Sequence, residues 1–420
     1  MADVRVVPAD DAQRYLDTDE LVWFAEPSAE PAARALSGLR EDQRFGAEVA
    51  GGDPAYYAGV YGVYALTVTV PGPHESLRQV PVSGLTFVGV HPDERRRGVL
   101  TAMLQDHFGR VREGDWSGLS ALHASEPSIY GRHGYGVASW ETRLTLARGA
   151  TLTAPGLEEE VQQLRTRLAT TGHAGVAARM RAAALHAGRT RLGSVVREEM
   201  TYEMFGRDTP QTTRDKEPQR ALFAVRDGVD VGYAWFRRAE KWEEGRPEGT
   251  VKVGELVGDP AAELALVRRL VDLDLTSSVV LHGRGVDDPV VHWAGGPRTI
   301  HGPTADSLWL RLVDLPRALE ERGYAESVDL VLDVEDAACE WNHGRWRLTV
   351  GDDGTARVAR TDDEPDLRLT TQVLASVYLG SQSLVVRHTA GLVEELRDGA
   401  VRRLDKALRM PQPAAGAVGF

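Results

Sequence analysis

The stretch Leu85-Thr86-Phe87-Val88-Gly89-Val90-His91-Pro92-Asp93-Glu94-Arg95-Arg96-Arg97-Gly98-Val99-Leu100 decides the fold of the first part of the chain. Its alternating valines are typical of a buried strand, and the proline that follows ends ladder pairing. From Val99 onward apolar residues recur at helical spacing, which predicts a helix that begins near Arg96. A strand that passes through a turn into a helix is a building unit of α/β domains.

The turn inside this stretch is suited to a phosphate group. The first N–H groups of a helix have no partners within it, and the helix dipole favours an anion there. Gly98 has no Cβ, so the backbone can approach a phosphate closely. Arg95, Arg96 and Arg97 supply positive charge and forked hydrogen bonds. A surface loop with solvated arginines is the alternative, but the flanking strand and helix favour the phosphate site.

A second stretch follows one strand later: Ala121-Leu122-His123-Ala124-Ser125-Glu126-Pro127-Ser128-Ile129-Tyr130-Gly131-Arg132-His133-Gly134-Tyr135-Gly136. Tyr130 is a candidate general acid, because a phenol with a pKa of about 10 keeps its proton at pH 7 and can donate it to sulfur. The alternative is a packed aromatic ring beside two glycines. Tyr135 is interpreted as such a packing residue, in a turn that leads back into a strand.

Together the two stretches resemble the Eis-like (enhanced intracellular survival) branch of the GNAT superfamily of N-acetyltransferases. That branch has Arg-Arg-Arg-Gly and two bulky residues, then His-Ala-Ser-Glu, then Ile-Tyr-Gly-Arg-x-Gly-Tyr-Gly. Arg95 to Leu100, His123 to Glu126 and Ile129 to Gly136 fit these motifs. Leu100 departs from the general superfamily loop, which has a small residue there, but it agrees with this branch.

The resemblance implies that acetyl-CoA is the co-substrate and that Tyr130 is the general acid. The residues expected to bind acetyl-CoA are Val88, Gly89, Val90, Arg95, Arg96, Arg97, Gly98, Val99, Leu100, Thr101, Ser125 and Glu126. The resemblance also assigns the general base to the α-carboxylate of Phe420. By composition alone the segment 411–420 is a disordered end. Desolvation in a closed pocket would raise the pKa of such a carboxylate above its usual value of about 3.5.

Glu20, Trp23 and Phe24, next to Asp19, are the candidate acceptor-binding residues. Acids with an aromatic floor suit a cationic amine through charge and cation–π contact. A solvated helix with two core aromatics is the alternative, and the residue pattern alone favours it.

Composition limits the remaining function classes. The net charge of −13 argues against nucleic acid as a partner and suits a cationic substrate. No apolar run is long enough for a membrane span, and the first residues lack the apolar core of a signal peptide, so a cytoplasmic protein is expected. Cys339 is the only cysteine, which excludes an intrachain disulfide and multi-cysteine metal sites. The histidines show no metal-ligand spacing, so no metal is expected.

Gly/Pro-rich joints at 152–156 and 295–303 predict domains at 1–150, 151–295 and 296–420. The middle domain repeats a strand–helix–strand pattern with predicted helices at 158–168, 175–185 and 261–273. Its turn carries Asp259 instead of arginines, so we expect a second GNAT-like domain without a phosphate site; a chance α/β similarity is the alternative. The last domain, with predicted strands at 330–334 and 346–350 and a helix at 392–408, resembles a sterol-carrier fold. Its apolar content is explained first as a core rather than as a lipid site.

The overall prediction is an α/β (α+β) protein with tandem GNAT-like domains and a sterol-carrier-like C-terminal domain. The leading functional hypothesis is acetylation of small multi-amine molecules, aminoglycoside antibiotics among them, by direct attack of the amine on the thioester. The alternatives are a protein-lysine acetyltransferase and a non-catalytic CoA- or lipid-binding regulator. The resemblance also implies a homohexamer.

Overall fold

The computed structural model describes residues 3–213, 216–416 and 418–420. Within these residues the chain forms three large sheets flanked by helices, and one short hairpin. The strands are β1 (Val4–Pro8), β2 (Arg44–Val49), β3 (Gly59–Pro71), β4 (Leu77–Val90), β5 (Leu119–Leu122), β6 (Gly136–Val137), β7 (Trp140–Ala147), β8 (Arg165–Thr170), β9 (Val195–Val196), β10 (Arg220–Arg226), β11 (Val229–Ala239), β12 (Trp242–Glu243), β13 (Arg246–Pro247), β14 (Gly249–Gly258), β15 (Thr276–Arg284), β16 (His301–Asp306), β17 (Trp309–Leu312), β18 (Val328–Glu335), β19 (Gly344–Val350), β20 (Ala356–Arg360), β21 (Leu367–Thr370) and β22 (Val393–Glu395).

The helices are α1 (Ala12–Trp23), α2 (Ala32–Ala35), α3 (Val99–Glu113), α4 (Pro127–Gly131), α5 (Glu158–Gln162), α6 (Val176–Ala187), α7 (Glu199–Gly206), α8 (Pro210–Thr213), α9 (Pro260–Val271), α10 (Pro289–Trp293), α11 (Pro297–Ile300), α12 (Leu315–Glu321), α13 (Thr371–Val377), α14 (Leu384–Thr389) and α15 (Ala400–Leu408).

The first sheet has the order β1-β2-β3-β4-β5-β17-β6, with β9 paired to β3. Its two parallel neighbours, β4 and β5, pair only at Ser83–Ser120 and Gly84–Ala121. Because β4 continues to Val90, the two strands separate beyond Gly84 and leave a gap in the sheet.

The second sheet has the order β16-β7-β15-β14-β11-β10-β8, and the third has the order β20-β19-β18-β21-β22. The first two sheets exchange strands: β7, which follows the first unit along the chain, lies in the second sheet, and β17 returns to the first sheet between β5 and β6. An apolar cluster joins the first sheet, the third sheet and Ala414 near the chain end, and Phe420 packs against it. The predicted α/β architecture of two similar units and a third is confirmed.

Three local predictions are wrong in part. The helix predicted from Arg96 begins at Val99, because Arg96 (φ 62°) and Gly98 (φ 88°) have left-handed backbone that an α-helix cannot contain. The helix predicted at 158–168 ends at Gln162, and 165–170 instead pairs with β10 along its full length. The helix predicted at 392–408 covers only 400–408, since 393–395 pairs with β21.

Candidate active site

A bulge in β4 shapes one wall of the gap between β4 and β5. The β3–β4 register shifts by one residue between the pairs Val60–Gly89 and Gly62–Thr86. Phe87, inside the shifted segment, has a φ of 51°. A bulge of this kind bends a strand and interrupts its ladder. The bulge therefore lies immediately before the backbone segment predicted to bind acetyl-CoA.

The start of α3 presents free amide groups. Gly98 is the N-cap, and no side chain caps the helix there. The first hydrogen bond of the helix runs from the Ala102 N–H to the Gly98 carbonyl at 3.0 Å, so the amides of residues 98–101 have no partner within the helix. A methyl group on Gly98 would meet no atom within 4 Å, so glycine is needed there for its positive φ and not for space.

These two features border one cleft with a volume of about 790 Å³. Eleven of the twelve predicted acetyl-CoA residues line it. They are Val88, Gly89, Val90, Arg95, Arg96, Gly98, Val99, Leu100, Thr101, Ser125 and Glu126. Arg97 does not line the cleft; its guanidinium forms an ion pair with Glu94. The geometry fits a diphosphate: backbone amides and two arginines at one end, and a strand edge at the other.

Tyr130 lies on α4 and lines the same cleft. Only 7% of the residue is exposed, and burial together with the charge of Glu126 raises the pKa of its phenol to about 12. The hydroxyl therefore holds its proton at neutral pH, as a general acid must. Tyr135 is fully buried, and its hydroxyl is 2.7 Å from Ser120 Oγ, as expected of a packing residue.

Residues of α13 and β17 pack against the segment that contains Tyr130. A methyl group on Gly131 would lie 2.9 Å from the Gln372 amide nitrogen, and one on Gly134 would lie 2.8 Å from Arg311 Cζ. Arg311, on β17, is buried in an ion pair of 2.6 Å with Asp336. No sequence pattern predicts this support, because the partners are far apart along the chain.

The end of the chain is held beside this region. The Val418 carbonyl lies 3.1 Å from His123 Nε2, and the Phe420 ring contacts the His123 ring with centroids 4.9 Å apart. A methyl group on Gly84 would lie 3.3 Å from Phe420 Cδ2. Since Gly84 is the last paired residue of β4 before the gap, Phe420 lies where the two strands begin to separate. Burial lowers the pKa of His123, so its ring is neutral at pH 7.

The buried ion pair between Arg197 and Glu255 also holds the chain end. Arg197 is fully buried, donates to Glu255 at 2.6 and 2.8 Å, and donates to the Gly419 carbonyl at 2.8 Å. The Tyr233 hydroxyl donates to the same Glu255 carboxylate at 2.7 Å. Sequence reasoning missed Arg197, which stands in a stretch without a recognisable motif.

The α1 candidates occupy different surroundings. Trp23 is half exposed and lines the same cleft as Tyr130, whereas Phe24, just past the helix end, is 86% exposed. The alternative of two core aromatics is therefore wrong. Glu20 accepts a hydrogen bond from the Ser28 N–H at 2.8 Å. Asp19 is largely buried, its Oδ1 has no hydrogen-bond partner in the described part of the chain, and burial raises its pKa to about 7.

In the second unit, acids occupy the corresponding helix start. Asp259 caps α9 by accepting from the Ala262 N–H at 2.8 Å, and it pairs with Arg226 at 2.9 Å. Glu263 in the first turn of α9 forms ion pairs with Arg191 and Arg284. The carboxylates of Asp259 and Glu263 therefore lie at the start of α9, whereas no side chain caps the start of α3 and its amides can bind an anion.

Two kinds of feature are absent from residues 3–213, 216–416 and 418–420. No helix there is both long and apolar enough to cross a membrane. No cluster of three or more His, Cys, Asp or Glu side chains is arranged there to hold a metal ion.

Comparisons with known proteins cover the whole chain. Two acetyltransferase (GNAT) domain models match residues 3–138 and 193–312, and a sterol carrier protein domain model matches 315–415. An uncharacterized N-acetyltransferase of Streptomyces avermitilis is 38% identical over 411 residues, 96% of each chain. The N-acetyltransferase Eis of Mycobacterium tuberculosis is 32% identical over 378 residues, 84% of each chain. The crystal structure of Eis1 from Mycobacterium abscessus superposes with a TM-score of 0.80 at 28% identity and covers 100% of both chains.

Proposed function

Because the chain belongs to the Eis-like family of GNAT N-acetyltransferases, we propose that it acetylates primary amines of small multi-amine molecules, aminoglycosides among them. Acetyl transfer with acetyl-CoA as co-substrate follows from the family. The acceptor class and the roles of individual residues are the proposal. The observation that carries it is the lining of one cleft by Tyr130 and eleven predicted acetyl-CoA residues.

When bound, acetyl-CoA supplies the thioester carbonyl that an amine can attack directly. The free amides of residues 98–101 and the guanidinium groups of Arg95 and Arg96 hold the diphosphate. The amine nitrogen bonds to the acetyl carbon, the carbon–sulfur bond breaks, and the leaving sulfur takes the Tyr130 hydroxyl proton. The raised pKa of Tyr130 keeps the proton on the phenol oxygen at neutral pH, so the group enters the reaction in its protonated form.

The amine must lose a proton during the reaction, and we assign its removal to the α-carboxylate of Phe420. The tail contacts support this assignment: His123 and Arg197 hold the carbonyl groups of Val418 and Gly419, and the Phe420 ring lies at the start of the gap. Trp23 lines the cleft and would lie on the acceptor side, and Asp19 and Glu20 are on the same helix, α1. The protein is also proposed to form a homohexamer in the cytoplasm. Light scattering of the purified protein measures the mass of the assembly.

A thiol-release assay with acetyl-CoA tests the proposal, using tobramycin, spermidine and a lysine-containing peptide as acceptors. Acetylated small amines identified by mass spectrometry would support it. Acetylation of the peptide alone would favour a protein-lysine acetyltransferase. Acetyl-CoA binding by calorimetry without thiol release from any amine would favour a non-catalytic regulator.

A further inference from the structure

A second cleft, of about 690 Å³, lies on the face of the second sheet that meets the chain end. We call it the β11–β14 cleft. Five cationic side chains line it, together with the Glu255 side-chain carboxylate and Phe420, whose α-carboxylate is the proposed general base. The cationic residues are Arg197, Lys216, Arg237, Arg238 and Lys252. This local excess of positive charge stands against a chain whose net charge is −13.

The arginines of the cleft are neutralised by acids of the chain. Glu255 pairs with Arg197 at 2.6 Å, Asp208 pairs with Arg237 at 2.8 Å, and Glu217 pairs with Arg238 at 3.0 Å.

The lysines of the cleft are not neutralised. Within the described residues neither the Lys216 ammonium nor the Lys252 ammonium forms an ion pair or a hydrogen bond. They are two of only four lysines in the sequence. His282 also lines the cleft. Burial and the positive charges of Arg143 and Lys252 lower its pKa. The cleft therefore presents uncompensated cations to whatever enters it.

Aromatic side chains form the rest of the wall. Phe205, Trp235 and Phe420 line the cleft beside the lysines. Rings beside ammonium groups suit a ligand with a flat or apolar body and an anionic end.

The cleft adjoins the proposed site of reaction. Phe420 lines it, and the same ring contacts His123 and approaches Gly84 at the start of the gap between β4 and β5. Since Phe420 and the two lysines line the same cleft, one molecule bound there can contact all three.

We infer that the β11–β14 cleft binds a carboxylate or phosphate at the far end of the acceptor, whose amine reaches Phe420. The inference rests on the acetyl transfer of the proposed function and changes the preferred acceptor from a multi-amine molecule to an amine with an anionic end. Amines with a distal anionic group are ranked above aminoglycosides, which carry none. Lys216 and Lys252 are specificity-determining residues, since they act on the acceptor's anion and not on the reacting atoms.

Matched acceptors test the inference with the full-length protein. Phenethylamine, 4-(2-aminoethyl)benzoate and tyramine O-phosphate share the same amine and differ at the opposite end of the ring. We expect both anionic acceptors to have at least about a tenfold higher kcat/KM than phenethylamine, the effect of one charge-assisted contact. The ratio for each anion shows whether carboxylate or phosphate is preferred. Equal kcat/KM values for all three, or a preference for tobramycin, would overturn the inference.

The double variant Lys216→Gln/Lys252→Gln should lower this preference ratio about tenfold or more, whereas Lys406→Gln, which removes an exposed lysine on α15, should keep it. Circular dichroism checks that the double variant is folded. An unchanged kcat/KM ratio of anionic acceptor to phenethylamine in that variant would contradict the inference. Calorimetry with phenyl phosphate gives a readout without turnover: binding to the wild type and its loss in the double variant are expected. Absence of thiol release from every amine would remove the proposed function, while this binding result would still decide whether the cleft takes anions.

Discussion

The Arg197 guanidinium donates to the carbonyl oxygen of Gly419 at 2.8 Å while Glu255 holds its other arm. The buried Arg197 side chain therefore fixes the backbone one residue before Phe420. Fully buried ion pairs are costly to break, because removal of one partner leaves an uncompensated charge. The position of Phe420 beside the first sheet thus depends on an ion pair between Arg197, which follows β9 of that sheet, and Glu255 on β14 of the second sheet.

Arg197→Lys keeps the positive charge but cannot hold Glu255 and Gly419 with one forked group. We expect kcat to fall at least about tenfold as the tail loses its anchor, with little change in acetyl-CoA affinity. Steady-state kinetics and calorimetry measure the two quantities. The matched control is Arg347→Lys, at an exposed ion pair of the third sheet. A normal kcat in Arg197→Lys would show that the anchor does not serve catalysis.

Tyr130→Phe removes the proposed acid and leaves the ring. Turnover should fall by about 10²- to 10⁴-fold, the usual contribution of a positioned acid, and acetyl-CoA should bind as before. Tyr135→Phe is the control: it removes the buried hydroxyl next to Ser120 and should cost about 1 kcal/mol of stability with activity retained. Comparable rates for Tyr130→Phe and the wild type would exclude the phenol from the reaction.

The Tyr130 assignment also constrains the pH profile. Because the pKa of Tyr130 is raised to about 12, the phenol stays protonated up to pH 10. The rate measured between pH 7 and 10 should therefore show no decline from loss of this proton. A descending limb near pH 9 that disappears in Tyr130→Phe would contradict the raised pKa, although it would still implicate the phenol in the reaction.

Gly98→Ala places a side chain on backbone with a φ of 88°. The strain should cost about 1–2 kcal/mol and distort the turn, so KM for acetyl-CoA should rise severalfold. Gly149→Ala introduces the same type of strain at a φ of 67°, with no atom within 4 Å, in a loop outside the cleft. Equal KM values in the two variants would mean that the turn does not hold the diphosphate.

Asp19 should make stability depend on pH. Its pKa is raised to about 7 in the folded protein from an ordinary value of 3.8. The buried neutral form favours folding, so this contribution is complete below pH 4 and is lost as the pH rises toward 7.

Asp19→Asn should therefore raise the free energy of unfolding at pH 8 by about 1–3 kcal/mol, with partial exposure discounted, and have little effect at pH 4. Urea unfolding at the two pH values measures this difference. A variant that is less stable than the wild type at pH 8 would show that the charged carboxylate has a stabilising partner.

Local patterns were enough to predict the strand, turn and helix around Gly98, because hydrophobic periodicity and turn residues act over a few positions. Arg97 shows the limit of a motif: three adjacent arginines look equivalent in sequence, but Glu94 lies within reach of only one. The segment 165–170 shows another limit, since its pairing with β10 overrides a helical pattern. Arg197 and Glu255 are 58 residues apart, and only the folded sheet brings them together.

The strand exchange has a practical consequence. A fragment cut at residue 150 would lack β17, so it would leave β5, the strand leading to Tyr130, with an unpaired edge prone to aggregation. It would also carry β7 without the partners that β7 has in the intact chain. Residues 1–150 are therefore not expected to fold as an independent enzyme.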